Sequence, residues 1–500
     1  MHIIDLIIFL IFTGGIVLLG SSFFRKNMSA DDFTSAGRNI PGWIVGMSIF
    51  STYVSNISYL GYPGKAYAAD WNAFVFSLSI PVASYFAARY FVPFYRKQTS
   101  VSTYQFLEDR FGLWARLYAS SCYLLTQVAR IGTIIFLLAL PMNILLGWNI
   151  RTVIVLTSIA IIIYSMLGGI KGVIWTEAIQ GIIMIGGAIA CLVTLLFAMP
   201  HGPQQAFDIA IADNKFSLGS FGPGIGTSTF WVCLIYGIFI NLQNYGIDQN
   251  YVQRYHTAKN DRAAKFSALF GGYLFIPMTA IFFLIGTSLY AYYKVNTGLL
   301  PTGGIKADYI FPYYIVHQLP VGMTGLLISS IFAAGMSTVA TGITSSSTIV
   351  LTDYYMQWRK NADNKERLMV LKLSSVLIGI LGIIVALAMI NVESILDAWW
   401  KLSSIFSGGM LGLFLLGYIS RRARNIDAAL GTVCGVILIG WISAAEFIGL
   451  PPTGIHEYLA IVLGTIMIFL VGFISSHIVY RNLPLHFPRK KMTDKHNEEK

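Results

Sequence analysis

Arg130, Glu177 and Lys401 stand inside long apolar stretches. A charge at the centre of a bilayer costs roughly 2.5–3.5 kcal/mol on insertion scales, so each needs a partner or a use. Arg130 lies in Thr126-Gln127-Val128-Ala129-Arg130-Ile131-Gly132, with no acidic neighbour at helical spacing. Its planar fork matches a carboxylate, supplied either by an acid on another helix or by an anionic substrate. Glu177 reads as an ion ligand or a structural partner, and Lys401 as a side chain snorkelling towards the interface.

Three further stretches carry oxygens in place of the expected aliphatics. Ser51, Thr52, Ser55, Asn56 and Ser58 precede Gly61 and Pro63, and the run from Asn241 to Asn250 holds an acid and five amides. Such segments serve either as hydrogen-bonding glue between helices or as the paired broken helices of an inverted-repeat transporter, whose unwound carbonyls bind cations. The run from Phe332 to Thr348 has eight hydroxyls in its last twelve residues. Ser337 and Thr338 follow the carbonyl of Ala334 by one turn. Facing a carbonyl-rich break, they form an all-oxygen, nearly neutral cage that suits a monovalent ion; a divalent ion wants more carboxylates.

The elements that carry these groups follow from composition. Of 500 residues only 34 are basic and 23 acidic, 55% are hydrophobic, and mean hydropathy is +0.66. That excludes a soluble enzyme, a disordered chain and a fibrous one, and predicts an all-α polytopic membrane protein. A ruler of ~20 apolar residues per crossing predicts thirteen spans. Among them are the second at 41–62, the fourth at 114–147, the fifth and sixth at 152–168 and 174–198, the seventh at 229–250, the ninth at 318–350 and the eleventh at 395–418. Loops 199–228 and 294–317 are rich in Gly, Pro and polar residues. Arg25, Arg38, Arg96, Arg110, Arg254, Arg359, Arg421 and Arg489 fall on one side of this map, against Lys65, Arg151, Lys215, Lys294 and Lys306 on the other. The asymmetry places the N-terminus outside and the C-terminus in the cytoplasm. A pore would want a repeated ring of identical residues, which is missing. His456-Glu457-Tyr458-Leu459-Ala460 lacks the second histidine of a zinc motif, so enzyme chemistry has no support either.

At Gly168-Gly169-Ile170-Lys171-Gly172-Val173-Ile174-Trp175-Thr176-Glu177-Ala178-Ile179-Gln180, Val252-Gln253-Arg254-Tyr255 and Phe332–Ser347, the chain resembles the sodium:solute symporter family. The resemblance implies thirteen helices with a five-plus-five inverted-repeat core. Residues 1–28 would be an extra first helix, 29–418 the core, 419–482 two closing helices and 483–500 a cytoplasmic tail. It implies a main sodium site at the carbonyls of Ser51, Val54 and Ala334 and the hydroxyls of Ser337 and Thr338. A second sodium site would use Glu177 and Thr341, but Ala340 has no hydroxyl where the family has one, so one sodium or two per cycle both stay open.

Pro63-Gly64-Lys65-Ala66-Tyr67 and Asp70-Trp71 are most similar to the bacterial sialic acid branch. There Arg130 would hold the solute's carboxylate, with Ser55, Ser58 and Asn244 as polar contacts. Tyr53, Ala73 and Ser77 depart from a threonine, an aromatic residue and a glutamine, so a different acid sugar, a neutral sugar or a smaller monocarboxylate is the alternative solute. The expected protein is a symporter of a bacterial inner membrane, functioning as a monomer, with sodium and the solute as its partners.

Overall fold

The computed structural model describes residues 2–22, 36–98, 101–301, 305–444, 451 and 453–479; the expected tail at 483–500 lies outside these. The regular elements are helices. Among the described residues the β pairing is one isolated bridge, in which Ile40 bonds Thr257 and Lys259 through its backbone at 3.1 and 3.0 Å.

The helices that frame the interior are α1 (Ile3–Ser22), α2 (Gly42–Tyr53), α3 (Tyr62–Ala68), α4 (Asn72–Arg96), α5 (Leu113–Leu146) and α6 (Ile150–Phe197). They continue as α7 (Phe230–Ile247), α8 (Gln249–Thr257), α9 (Asp261–Val295), α10 (Met323–Ile349), α11 (Asn364–Ala388), α12 (Ile395–Phe406), α13 (Met410–Ile419), α14 (Asn425–Ala444) and α15 (Leu459–Val479).

Both predicted interruptions are real breaks. Val54 turns extended (φ −75°, ψ 92°), ending α2, and the Ser55 hydroxyl accepts the N–H of Ile57 at 3.3 Å as the chain recovers its turn. Asp248 is likewise extended (φ −78°, ψ 128°) and caps α8, its carboxylate accepting the N–H of Asn250 at 2.7 Å. Short polar side chains offer the backbone local partners in place of the helical ladder, and that is why the breaks fall there. A third break was not predicted. The eleventh span bends by 43° between α12 and α13, where Gly408 and Gly409 take φ of 51° and 68°, a conformation that costs glycine no steric penalty.

Length and apolarity alone do not reproduce the count of thirteen. Among the described residues nine helices are long and apolar enough to cross a membrane, or ten with the bent α12–α13 pair. The other predicted spans are helical but miss that measure: Ile3–Ile16 and Ile150–Ile163 are short apolar helices, and the span at 41–62 is cut by its own break. The fifth and sixth predicted spans run as the single helix α6 through Gly168 and Gly169. Glycine inside a helix costs only about 1 kcal/mol, so the glycines lower propensity without forcing an end. Two polar loops also hold helices, Pro203–Ala212 and Ala307–His317, the first started by Gly202-Pro203.

Burial sorts the helices into inner and outer ones. Of the apolar stretch in Met323–Trp358, 94% is buried, against 39% in Asn364–Asn391. Met369, Leu373, Leu377, Ile380 and Ile384 are exposed at helical spacing along α11, the pattern of a lipid-facing stripe. The hydroxyl-rich α10 is thus the central post, packed against α6, α5, α1 and α2.

Candidate ion and substrate sites

Two fixed points align the stretch from Ser48 to Tyr59, which spans the break after α2, with α6 and α10. At the first, Ser48 of α2 and Thr341 of α10 both donate their hydroxyls to the Glu177 carboxylate of α6. At the second, a methyl group on Gly187 would sit 3.1 Å from Ser330 Cβ and 3.2 Å from the Tyr59 hydroxyl. The chain rises from 48 to 59 and from 177 to 187 while it falls from 341 to 330, so α10 runs against the other two. Ser51 and Val54 therefore lie between the two points on one side, and Ala334, Ser337 and Thr338 on the other. The Ser51 hydroxyl donates to the Glu177 carbonyl at 2.7 Å. Both Ser337 and Thr338 donate to the Ala334 carbonyl at 3.0 Å, gathering three oxygens at one spot on α10. By helical rise Ser51 and Thr338 stand about one turn beyond the Glu177 level, and Val54 and Ala334 about two.

Glu177 and Thr341, the predicted second set, also meet, but with Arg254, which the sequence placed among the positive charges marking one side and which is instead fully buried. Arg254 of α8 sends Nη2 to both Glu177 oxygens at 2.9 and 2.7 Å, and both side chains are fully buried. Its Nε donates to Ser48 Oγ at 2.8 Å, its Nη1 to the Asn250 carbonyl at 2.6 Å, and Nη2 also to Thr341 Oγ1 at 2.7 Å. Glu177 is thus ion-paired with Arg254 in the interior.

A cavity opens where α2 breaks. Tyr53, Ser55, Ser58, Arg130 and Asn244 line it, leaving water centres about 60 Å³, several times the roughly 10–15 Å³ that one water needs. Arg130 donates from Nη2 to the Thr52 carbonyl at 2.6 Å. Among the described residues no carboxylate lies within ion-pair distance of it; the nearest candidate acid on another helix is Asp248 at the second break, which lines the same cavity and whose charge interacts with Arg130. The Tyr53 hydroxyl donates to Asn241, which in turn donates to Ser79 at 2.8 Å. Ala73 and Ser77 do not line the cavity; they are buried, and Phe76 between them on α4 reaches it instead. The rest of the lining includes Asp248, Gln127, Tyr251 and Trp400. Asp248 and Gln127 had a signal, being polar within apolar spans. Trp400 had none, since an aromatic residue in a span is ordinary.

Each end of the cavity leads to an ion pair. Beyond Trp400, which packs on Phe76, Tyr236 and Tyr458 at ring-centroid distances of 5.1, 5.7 and 5.2 Å, Lys65 meets Asp397 at 2.8 Å. The Tyr458 hydroxyl donates to the same carboxylate at 2.9 Å. Beside this pair, Asp308 of the loop helix Ala307–His317 accepts the N–H of Ile395 at 2.8 Å and so caps α12. Burial lifts its carboxyl to a pKa of about 6. Towards the other end, about 15 Å down α5 from Thr126 at 1.5 Å per residue, the buried Arg116 and Asp353 pair at 2.6 Å. Lys401 pairs with Glu457, and both side chains are partly exposed. The carboxylate of the truncated zinc-like motif thus has a structural partner.

Comparison with known proteins fits this architecture. The sodium/sialic acid symporter NanT of Aliivibrio fischeri is 33% identical over 94% of this chain and 92% of its own length. The sodium/sialic acid symporter SiaT of Proteus mirabilis is 31% identical over 96% and 95%. A solved structure of a substrate-bound, outward-open Na+-coupled sialic acid symporter superposes with a TM-score of 0.88 at 29% identity, covering 95% of this chain and 98% of that one. The family model of the sodium:solute symporters matches residues 33–438, and with the broken helices and central hydroxyl helix in place, this membrane protein belongs to the sodium:solute symporter family.

Proposed function

We propose that the chain is a secondary active transporter that couples inward sodium movement to uptake of a small carboxylate-bearing solute, with sialic acid the first candidate because the relatives above are named for it. One observation carries this reading: Arg130, in direct ion-pair contact with no carboxylate among the described residues, lines the same cavity as the broken-helix hydroxyls Ser55 and Ser58. The guanidinium fork takes the solute's carboxylate, and Ser55, Ser58, Tyr53 and Asn244 take its polar groups. Ala73 and Ser77 act at one remove, by setting how far Phe76 reaches. Sodium binds at the carbonyls of Ser51, Val54 and Ala334 and the hydroxyls of Ser337 and Thr338.

Sodium bridging the break after α2 to α10 steadies both against one another. Its release lets one end of the cavity open while the other stays shut, which is alternating access. The Lys65–Asp397 end faces outward and the Arg116–Asp353 end faces the cytoplasm, following the distribution of positive charge. The protein works as a monomer in a bacterial inner membrane. The aromatic wall of Trp400, Phe76 and Tyr236 and the small volume favour a short monocarboxylate as the second candidate.

Proteoliposomes given labelled sialic acid under an inward sodium gradient should accumulate it, choline should not substitute, and Arg130→Ala should abolish uptake while the protein still folds. Competition by unlabelled short monocarboxylates ranks the two solutes. Uptake indifferent to sodium overturns the coupling, and full activity of Arg130→Ala with an acid substrate overturns the carboxylate role.

A further inference from the structure

The Glu177 carboxylate has no place left for a metal ion. Oε1 accepts Arg254 Nη2 at 2.9 Å and the Thr341 hydroxyl; Oε2 accepts Nη2 at 2.7 Å and the Ser48 hydroxyl. The Thr52 hydroxyl stands 3.5 Å from Oε1. A carboxylate offers about four acceptor positions, and all are in use. The neighbouring hydroxyls are equally committed: Ser48 receives Arg254 Nε at 2.8 Å and Thr341 receives Nη2 at 2.7 Å. Ala340, where a further ligand would be wanted, has no oxygen in its side chain.

Charge points the same way. Glu177 and Arg254 cancel, and both side chains are fully buried. A sodium added there would leave a net positive charge in a dry interior, where an uncompensated ion is strongly destabilising. Arginine does not release its proton to make room. The guanidinium also reaches from α8, beyond the second break, to Ser48 of α2 and Thr341 of α10, the joining role that a mobile ion would otherwise have.

We propose that Arg254 is a tethered cation standing in place of a second sodium, so that one sodium accompanies each solute molecule and a monocarboxylate anion crosses with no net charge. The stoichiometry stands on the geometry alone; the electroneutrality rests on the carboxylate reading above. Driving force then comes from the sodium concentration gradient and not from membrane potential. Each net charge moved through 100 mV would be worth about fifty-fold in accumulation, roughly 2.3 kcal/mol, so the alternative is easily distinguished.

Two measurements test this. Equilibrium binding of radioactive sodium to the purified protein should give one ion per chain, in wild type and in Glu177→Gln; two ions per wild-type chain overturn the proposal, whether or not the variant folds. In proteoliposomes with a tenfold inward sodium gradient, labelled sialic acid should reach the same accumulation, about tenfold, at 0 and −100 mV. A rise of more than about tenfold on imposing the potential overturns the proposal. Failure of sodium to drive any accumulation at either potential would instead remove the proposed function, and the binding count would still decide the stoichiometry.

Discussion

The Glu177–Arg254 pair makes a sharp prediction about stability. Both side chains are fully buried and meet at 2.7 Å, and the hydroxyls of Ser48 and Thr341 are bonded to both partners. Removing one member of such a pair strands a charge in the interior, which costs about 3–5 kcal/mol. Arg254→Met leaves the carboxylate with only two hydroxyl donors and the distant Thr52, and Glu177→Gln leaves the guanidinium without a counter-charge. Each single variant should lose stability in that range. The double variant strands no charge. It loses a few hydrogen bonds at about 1 kcal/mol each, partly offset because both sides of the contact become neutral together. Its cost should be about 1–3 kcal/mol, less than either single change, giving a coupling energy of at least about 3 kcal/mol. Denaturant unfolding in detergent, followed by tryptophan fluorescence across the four proteins, measures this. Single costs below about 1 kcal/mol, or costs that simply add in the double variant, would refute the view that the two charges neutralise each other in a dry site.

Two further outcomes follow from other parts of the molecule. The Asp308 carboxyl is lifted by burial from its ordinary 3.8 to about 6. A raised acid contributes its stability fully below the ordinary value and loses it as pH rises through the folded one, so wild type should weaken against Asp308→Asn between pH 4 and 6 by up to roughly 3 kcal/mol. Thermal melting of both proteins across that window checks the sign, and parallel curves would remove Asp308 as the cause. Gly187→Ala places its methyl 3.1 Å from Ser330 Cβ and 3.2 Å from the Tyr59 hydroxyl, where α6, α10 and the turn that follows the first break are clamped together. Overpacking of this kind costs about 1–3 kcal/mol. Because the clamp borders the proposed main sodium site, the sodium concentration that half-stabilises the protein should rise; an unchanged sodium titration would separate the clamp from the ion.

The amino-acid sequence by itself determined the solvent in which this protein folds, the two polar breaks and the hydroxyl-rich helix. These are local properties. A span of apolar residues has one reading in lipid, and a run of Ser, Asn and Asp inside it competes with the backbone ladder wherever the chain folds. The same locality explains the misses: Gly168-Gly169 looked like a boundary and is helix, whereas Gly408-Gly409 looked like span and is a bend. Which groups face one another was decided only by tertiary structure. Glu177 finds Arg254 across 77 positions and Lys401 finds Glu457 across 56. Phe76 reaches the cavity past Ala73 and Ser77, and Trp400 seals one side of it. Helical periodicity says which side of a helix a residue occupies, not which neighbour that side meets. A buried charge can therefore be recognised from sequence as needing a partner, while the identity of that partner, and with it the choice between ligating an ion and replacing one, depends on how the helices pack.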